Sequence, residues 1–146
     1  MNNRQLLLLI TILLWLLPAT GFAEQDTDQS ESMTEGVVRA LFTTKVVERE
    51  PVNDITELTN DNEKVYFFSE QRDMAGQPIT HRWEYNGKVM AEIKFDIRGP
   101  RWRIKSSKRL DPKWIGEWKV SVIDWSGEIL AEKTLNYIES ADKASE

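Results

Sequence analysis

The feature that most constrains this chain is a series of short segments in which apolar and polar side chains alternate. Alternation with a period of two is typical of half-buried β-strands, because successive side chains point to opposite faces of a sheet. Turn-forming residues separate the segments, among them Asn86-Gly87, Gly99-Pro100 and Ser126-Gly127. No convincing run of apolar residues follows helical spacing. The candidate strands are residues 37–47, 64–69, 79–85, 88–97, 101–106, 117–124 and 129–137.

These segments predict an all-β fold, an immunoglobulin-like antiparallel β-sandwich of about seven strands. The candidate domain, residues 36–139, has the size of a two-sheet sandwich, which is about 100 residues. The 146-residue chain has room for one such domain. It contains no cysteine, so disulfide frameworks, thiolate catalysis and cysteine-ligated zinc are excluded. The fold must therefore be held together by packing alone.

Residues 1–23 have the pattern of a secretory signal peptide. Arg4 supplies a positive charge, a nearly unbroken apolar run extends to Leu17, and Gly21-Phe22-Ala23 places small residues at a cleavage site. The alternative is an uncleaved anchor, but twelve apolar residues reach only about 18 Å of the roughly 30 Å hydrocarbon core. We therefore expect cleavage after Ala23, a periplasmic or secreted protein, and no stable membrane span after cleavage.

Residues 24–35 are acidic and almost without apolar side chains, so they cannot offset the entropy of becoming ordered. We expect a disordered acidic leader there. By the same argument residues 140–146 are expected to be a flexible tail.

The hairpin around Asn86-Gly87 allows a prediction of strand register. A two-residue turn mixes polar and apolar side chains on both faces, whereas a three-residue loop that includes Tyr85 sorts them. We predict the three-residue loop. It pairs Trp83 with Val89, His81 with Ala91, and Ile79 with Ile93. The register of the last hairpin, around residues 125–127, stays open because neither closure gives a clean apolar face.

The candidate domain, residues 36–139, resembles the DUF2914 family. The resemblance rests on Arg49-Glu50-Pro51-Val52, Val65-Tyr66-Phe67-Phe68-Ser69-Glu70, Thr80-His81-Arg82-Trp83, Arg101-Trp102-Arg103, Ser106-Ser107-Lys108 and Gly116-Glu117-Trp118-Lys119-Val120. It implies a bacterial domain of unassigned function that often occurs in exported or membrane-associated proteins. It implies no catalytic residues.

Charge is distributed unevenly along the chain. Residues 24–63 carry 11 acidic and 3 basic side chains, whereas residues 98–113 carry 7 basic side chains and 1 acidic one. Within the predicted strand 101–106, alternation places Arg101, Arg103 and Lys105 on one face and Trp102, Ile104 and Ser106 on the other. Arginine binds planar anions through two parallel hydrogen bonds. The basic row therefore indicates an anionic ligand or an acidic partner.

The basic row has two other interpretations. It can be a solvated face on which the arginines lie over Trp rings or pair with Glu84, Glu92 and Asp96. Alternatively, the acidic leader can fold back on it, a contact that salt would abolish.

The six Trp residues raise the possibility of a carbohydrate platform. Trp83, Trp102 and Trp118 fall on predicted inward faces, which favours a role in the core. Trp114 and Trp125 fall in loops, and Trp114 is the candidate for the rim of a binding surface.

Catalytic and metal sites are not expected. His81, the single histidine, falls among apolar neighbours, as a hydrogen-bonded core histidine does. Zinc would need further His or Cys ligands, and residues 60–63 lack the spacing of a calcium loop. Ser106 and Lys108 do not form the Ser-x-x-Lys motif of a hydrolase, and no Gly-x-Ser-x-Gly motif is present. We therefore expect no enzyme activity, no cofactor and no nucleic-acid partner.

The sequence predicts an exported, non-enzymatic binding or accessory module of the bacterial cell envelope. Its candidate contact residues are Arg82, Arg101, Arg103, Lys105, Lys108 and Trp114. The envelope partner would be an anionic lipid, a glycan or a protein. The alternative is a protein–protein interaction or structural module that pairs through exposed strand edges.

Overall fold

The computed structural model describes residues 36–141, and all regular structure within that range is β-strand. The strands are β1 (Val37–Thr43), β2 (Val46–Val47), β3 (Glu50–Pro51), β4 (Glu57–Thr59), β5 (Lys64–Arg72), β6 (Pro78–Tyr85), β7 (Lys88–Asp96), β8 (Arg101–Arg109), β9 (Gly116–Ile123) and β10 (Ile129–Ile138). The described part of the chain contains no helix capable of crossing a membrane. The predicted signal peptide, the acidic leader and residues 142–146 lie outside it.

The strands form two main sheets and one small hairpin. One sheet has the order β1-β5-β8, the other has the order β4-β10-β9-β6-β7, and β2 pairs with β3. All pairs are antiparallel except that of β4 with β10, which is parallel. The predicted all-β sandwich is confirmed.

The strand order is the one found in immunoglobulin-like sandwiches. When the seven long strands are lettered in chain order as A, B, C, C′, E, F and G, one sheet is A-B-E and the other is G-F-C-C′. In this arrangement β5 is the middle strand of the three-stranded sheet, and β8 lies at its border. These positions decide which charged side chains meet on the outer face.

Large aromatic and aliphatic side chains fill the space between the sheets. Trp83, Trp118 and Leu135 are fully buried. Phe42 packs edge-on against Phe67 at 5.2 Å and against Trp83 at 5.8 Å between ring centroids. Burial of each such side chain contributes roughly 1.5–3 kcal/mol to stability. Each occupies one of the alternate positions of its strand that face inward, and the intervening polar residues therefore lie on the outer faces.

The seven predicted segments correspond to the seven long strands, but the first was drawn too long. Strand β1 ends at Thr43 because Asn53 closes the following loop, its Oδ1 accepting a hydrogen bond from the Thr44 N–H at 2.9 Å. The chain then forms the separate hairpin of β2 and β3. Their two-residue strands are too short to show a period, so the sequence did not predict them.

The predicted register of the hairpin between β6 and β7 was wrong. The turn has two residues, Asn86 and Gly87, both with positive φ (45° and 81°). A β-bulge then shifts the pairing, so that Trp83 lies opposite Ala91 rather than Val89. The difference is two residues, which preserves parity. His81 and Trp83 therefore point inward as predicted, although their partners differ.

A bulge also explains why the register of the last hairpin could not be predicted. The pairing of β10 with β9 shifts between Ile129 and Ala131, and Leu130 and Ala131 are both buried. Two consecutive buried residues break simple alternation, which is why the sequence left this register open.

Candidate functional site

The outer face of the three-stranded sheet carries the predicted basic row. Along β8, Arg101 and Lys105 are exposed and Arg103 is partly exposed, whereas Ile104 and Ser106 are buried. Alternation thus sorts the side chains of this strand as the sequence predicted.

A buried carboxylate lies beneath this row. The Glu70 side chain, on the middle strand β5, is only 1% exposed although it points to the outer face. Four guanidinium groups surround it. The distances to its carboxylate oxygens are 2.6 Å from Arg101 Nε, 3.0 Å from Arg39 Nη2, 3.3 Å from Arg103 Nε and 3.5 Å from Arg72 Nε. All three strands of the sheet therefore contribute cations to one anion.

The surrounding arginines keep Glu70 charged. The hydrogen bond from Arg101, supported by that from Arg103, lowers the pKa of Glu70 to about 2, although burial acts in the opposite direction. The carboxylate is therefore ionised at any physiological pH, and it orients the guanidinium groups above it.

A second carboxylate, that of Glu50 on β3, lies above the first. Its oxygens are 2.9 Å from Arg39 Nη2 and 2.9 Å from Arg103 Nη1, and its side chain is 45% exposed. The hydrogen bond from Arg39 lowers the pKa of Glu50. We call Arg39, Glu50, Glu70, Arg72, Arg101 and Arg103 the arginine cluster. Its four cations and two carboxylates leave an excess of two positive charges.

A cleft opens beside the arginine cluster. Arg49, Arg101, Trp102 and Arg103 line a volume of about 280 Å³. A neighbouring cleft of about 210 Å³ shares Arg49 and Arg103 and extends towards Lys105. Three arginines thus meet at a space that a small anionic group can enter.

Arg49 reaches the cleft from an unfavourable turn. Glu48 and Arg49 join β2 to β3 with φ values of 49° and 66°. A two-residue turn with both φ values positive favours Asn-Gly, because side chains with a Cβ are strained there. Such strain persists only where other interactions support it, and it is most common at functional positions. Here the turn places a cation beside Arg101 and Arg103.

The other predicted contact residues lie elsewhere. Arg82 is on the five-stranded sheet, faces the opposite side of the sandwich and pairs with Glu92 at 2.7 Å. Lys108 is on β8 but has the parity of the inward-facing residues and is half-buried. Trp114 packs between Tyr85 and Trp118, so it is not the rim of the arginine cluster. The structure brings together only Arg101, Arg103 and Lys105 of the predicted set.

Sequence reasoning missed most of the arginine cluster. The predicted strand 64–69 ended one residue before Glu70, and the carboxylates named as partners in one interpretation of the basic row were those of Glu84, Glu92 and Asp96. A signal was present: extending the strand to Arg72 would have placed Glu70 opposite Arg103 in the antiparallel pairing. Glu50 gave no such signal. Glu48-Arg49 is an unfavourable turn sequence, so the hairpin that brings Glu50 to the cluster could not be predicted.

His81 is a core histidine, as expected. It is fully buried, and its ring nitrogens lie 2.8 Å from Ser69 Oγ and 2.9 Å from Ser106 Oγ. Burial lowers the pKa of His81 to about 3, so the ring is neutral. Trp83 Nε1 also donates to Ser106 Oγ at 3.0 Å. This network ties β5, β6 and β8 together across the two sheets. Within residues 36–141, no group of three or more His, Cys, Asp or Glu side chains is placed to hold a metal ion.

Part of the chain matches a known family of proteins. Residues 76–136 match the family model described as "Protein of unknown function (DUF2914)". The matched range extends from β6 into β10 and contains Arg101 and Arg103, but it does not include Glu50 or Glu70. No curated protein matches the chain.

Proposed function

We propose that this chain, whose residues 76–136 match the DUF2914 family of proteins of unknown function, is a non-enzymatic module that binds an anionic group at the arginine cluster and its cleft. The observation that carries the proposal is the convergence of Arg49, Arg101 and Arg103 on one cleft above a buried carboxylate.

The physical reason is that the guanidinium groups are already oriented. Glu70 holds Arg101 and Arg103 by hydrogen bonds, so less side-chain entropy is lost when they bind a ligand. Two carboxylates do not neutralise four arginines, and Arg49 adds a fifth cation at the cleft. The part of the ligand that enters the cleft is a carboxylate or a phosphate, since arginine recognises both through paired hydrogen bonds.

The non-enzymatic and envelope assignments rest on the sequence. The chain has no cysteine and a single histidine, and that histidine lies buried between two serines. Residues 1–23 have the composition of a signal peptide, which supports export to the bacterial cell envelope.

The test is binding of the purified protein to two anionic probes, phosphatidylglycerol vesicles and an oligomer of glutamate. Phosphatidylcholine vesicles are the neutral reference. We expect binding to at least one anionic probe that weakens as salt rises from 0.05 to 0.5 M, roughly the range in which the screening length falls below about 10 Å. Replacing Arg49 and Arg101 together by Gln should lower the affinity roughly tenfold or more, on the order of 1.4 kcal/mol.

The matched control is Arg109→Gln. Arg109 is exposed, lies on the same strand and has the parity of Arg101 and Arg103, but it is six residues beyond Arg103. At about 3.3 Å per residue this places it roughly 20 Å away. If Arg109→Gln weakens binding as much as the double substitution, or if neither probe binds, the proposal is wrong.

A second candidate is pairing through open strand edges. Within the described residues, β7 and β8 each border a sheet, and Val89 on β7 is half exposed. Such edges can add a strand from another chain. Self-association that is insensitive to salt, measured by sedimentation velocity, would favour this function over anion binding.

A further inference from the structure

The two carboxylates of the arginine cluster differ in their access to solvent. Glu70 is 1% exposed, and its hydrogen bonds come from arginines that cover it. Glu50 is 45% exposed and contacts two of the same arginines from the solvent side. Glu70 is therefore a permanent part of the site, whereas Glu50 can be replaced by another anion without opening the sheet.

The position of Glu50 defines a seat for a carboxylate. Arg39 Nη2 and Arg103 Nη1 each lie 2.9 Å from one of its oxygens. Both arginines also bond Glu70, at 3.0 Å and 3.3 Å, which fixes them from below. A free carboxylate in this seat would make the same two contacts. Arg49, the residue immediately before Glu50 in the chain, adds a further cation beside it.

Exposed ion pairs of this kind are weak, because water screens them and holding the side chains costs entropy. A ligand with several carboxylates can therefore compete with Glu50. Arg101, Arg103 and Lys105 repeat at every second residue of β8, or about 6.7 Å. An extended peptide with an acidic residue at every second position has the same repeat. Within the described residues β8 is one of the two border strands of its sheet, so such a peptide can lie along it.

We propose that Glu50 is an internal ligand of the anion site, and that a carboxylate from an extended acidic peptide displaces it from Arg39 and Arg103. This inference rests on the proposed function of the arginine cluster. It makes Glu50 a competitor that sets the affinity, so that only ligands with several suitably spaced carboxylates bind.

The test measures binding of a fluorescent hexapeptide, with Glu at every second position and Thr between, by anisotropy at 0.1 M salt. Glu50→Gln removes the competing charge and keeps the side-chain shape. We expect it to bind the peptide roughly three- to tenfold more tightly than the wild type, the range expected from losing about two exposed ion pairs. A hexapeptide of the same composition with its three Glu residues adjacent should bind less tightly than the alternating one.

Glu48→Gln is the matched control. It removes the same charge two residues before Glu50, in the turn that joins β2 to β3, and Glu48 lines the neighbouring cleft. A general electrostatic effect would raise the affinity in both variants, whereas competition for the seat raises it in Glu50→Gln by a factor that Glu48→Gln does not reach. Glu50→Asp, in which the carboxylate is one methylene further from the arginines, should bind with an affinity between those of the wild type and Glu50→Gln.

Equal affinities of the Glu50→Gln and Glu48→Gln variants, or weaker binding by Glu50→Gln, would overturn the inference. The proposed function would survive that result if Arg49→Gln combined with Arg101→Gln still lowered the affinity for the anionic probes roughly tenfold or more. If no variant and no wild-type protein bound the peptides or the other anionic probes, both proposals would fail together.

Discussion

The buried histidine makes stability depend on pH in a defined direction. Burial lowers the pKa of His81 from its ordinary value of 6.5 to about 3 in the folded protein, because the enclosed ring loses the hydration that its charged form needs. In the unfolded chain the ring binds a proton near pH 6.5. A group whose pKa is lower in the folded state contributes stability above the unfolded pKa and loses it as the pH falls towards the folded value.

The magnitude follows from linkage. Each pH unit below about 6.5 costs about 1.4 kcal/mol until the folded pKa is approached, so the free energy of unfolding should fall by about 2 kcal/mol between pH 8 and pH 5. Glu70, with a pKa of about 2, contributes to acid unfolding only below about pH 4.5. Between pH 6.5 and pH 5 the change in the free energy of unfolding therefore reports on His81 and not on Glu70.

The assay is urea unfolding at pH 8, 6.5 and 5, followed by Trp fluorescence, for the wild type and for His81→Gln. The variant should be less stable at pH 8, but its stability should change little over this range. Because the chain has one histidine, its ring protons give a second reading in the folded wild type by NMR. A ring that titrates near pH 6.5 in the native protein, or a variant that keeps the full pH dependence, would refute the reasoning.

Two further predictions concern the outer face. Replacing Glu48 by Asn and Arg49 by Gly supplies the residues that the positive φ values favour. The double variant should therefore be more stable by about 2 kcal/mol in thermal unfolding. It should bind anions less tightly, because one cation is lost. A double variant that is less stable than the wild type would show that the turn is not strained. Glu70→Gln leaves the covering arginines without their buried anion and should lower the free energy of unfolding by roughly 2–3 kcal/mol. Its control, Glu92→Gln, breaks the exposed pair with Arg82 and should lower the free energy of unfolding by less than about 1 kcal/mol. Equal losses in these two variants, measured in urea, would contradict the assignment of Glu70 as the centre of the cluster.

Much of the fold could be predicted from the sequence because parity is a local property. Trp83, His81 and Trp118 are buried where alternation placed them, and Arg101 and Lys105 are exposed. Register was harder, because it depends on bulges. The two-residue turn and the bulge that follows it each moved the partner of Trp83 by one residue, and the sum of two left its face unchanged. The predicted core is therefore correct although the predicted pairing is not.

The candidate site was only partly predictable because its members come from four separate strands. Arg101 and Arg103 were visible as a basic row, but their partner Glu70 lay just past the end of a predicted strand. Glu50 reaches the cluster through a hairpin that local propensity disfavours. Side chains that meet through tertiary structure leave no spacing in the sequence. Arg82 was predicted as a contact residue, but it lies on the other sheet, and alternation within one strand does not show which sheet that strand joins.

The most direct test of the anion-binding account is an NMR titration that follows the arginine Nε–Hε signals of the protein as the alternating acidic peptide is added. The account predicts that the signals of Arg39, Arg101 and Arg103 shift together and saturate, while that of Arg109 stays in place. Shifts confined to Arg109 or Arg82, or no saturating shift in any arginine signal, would contradict it.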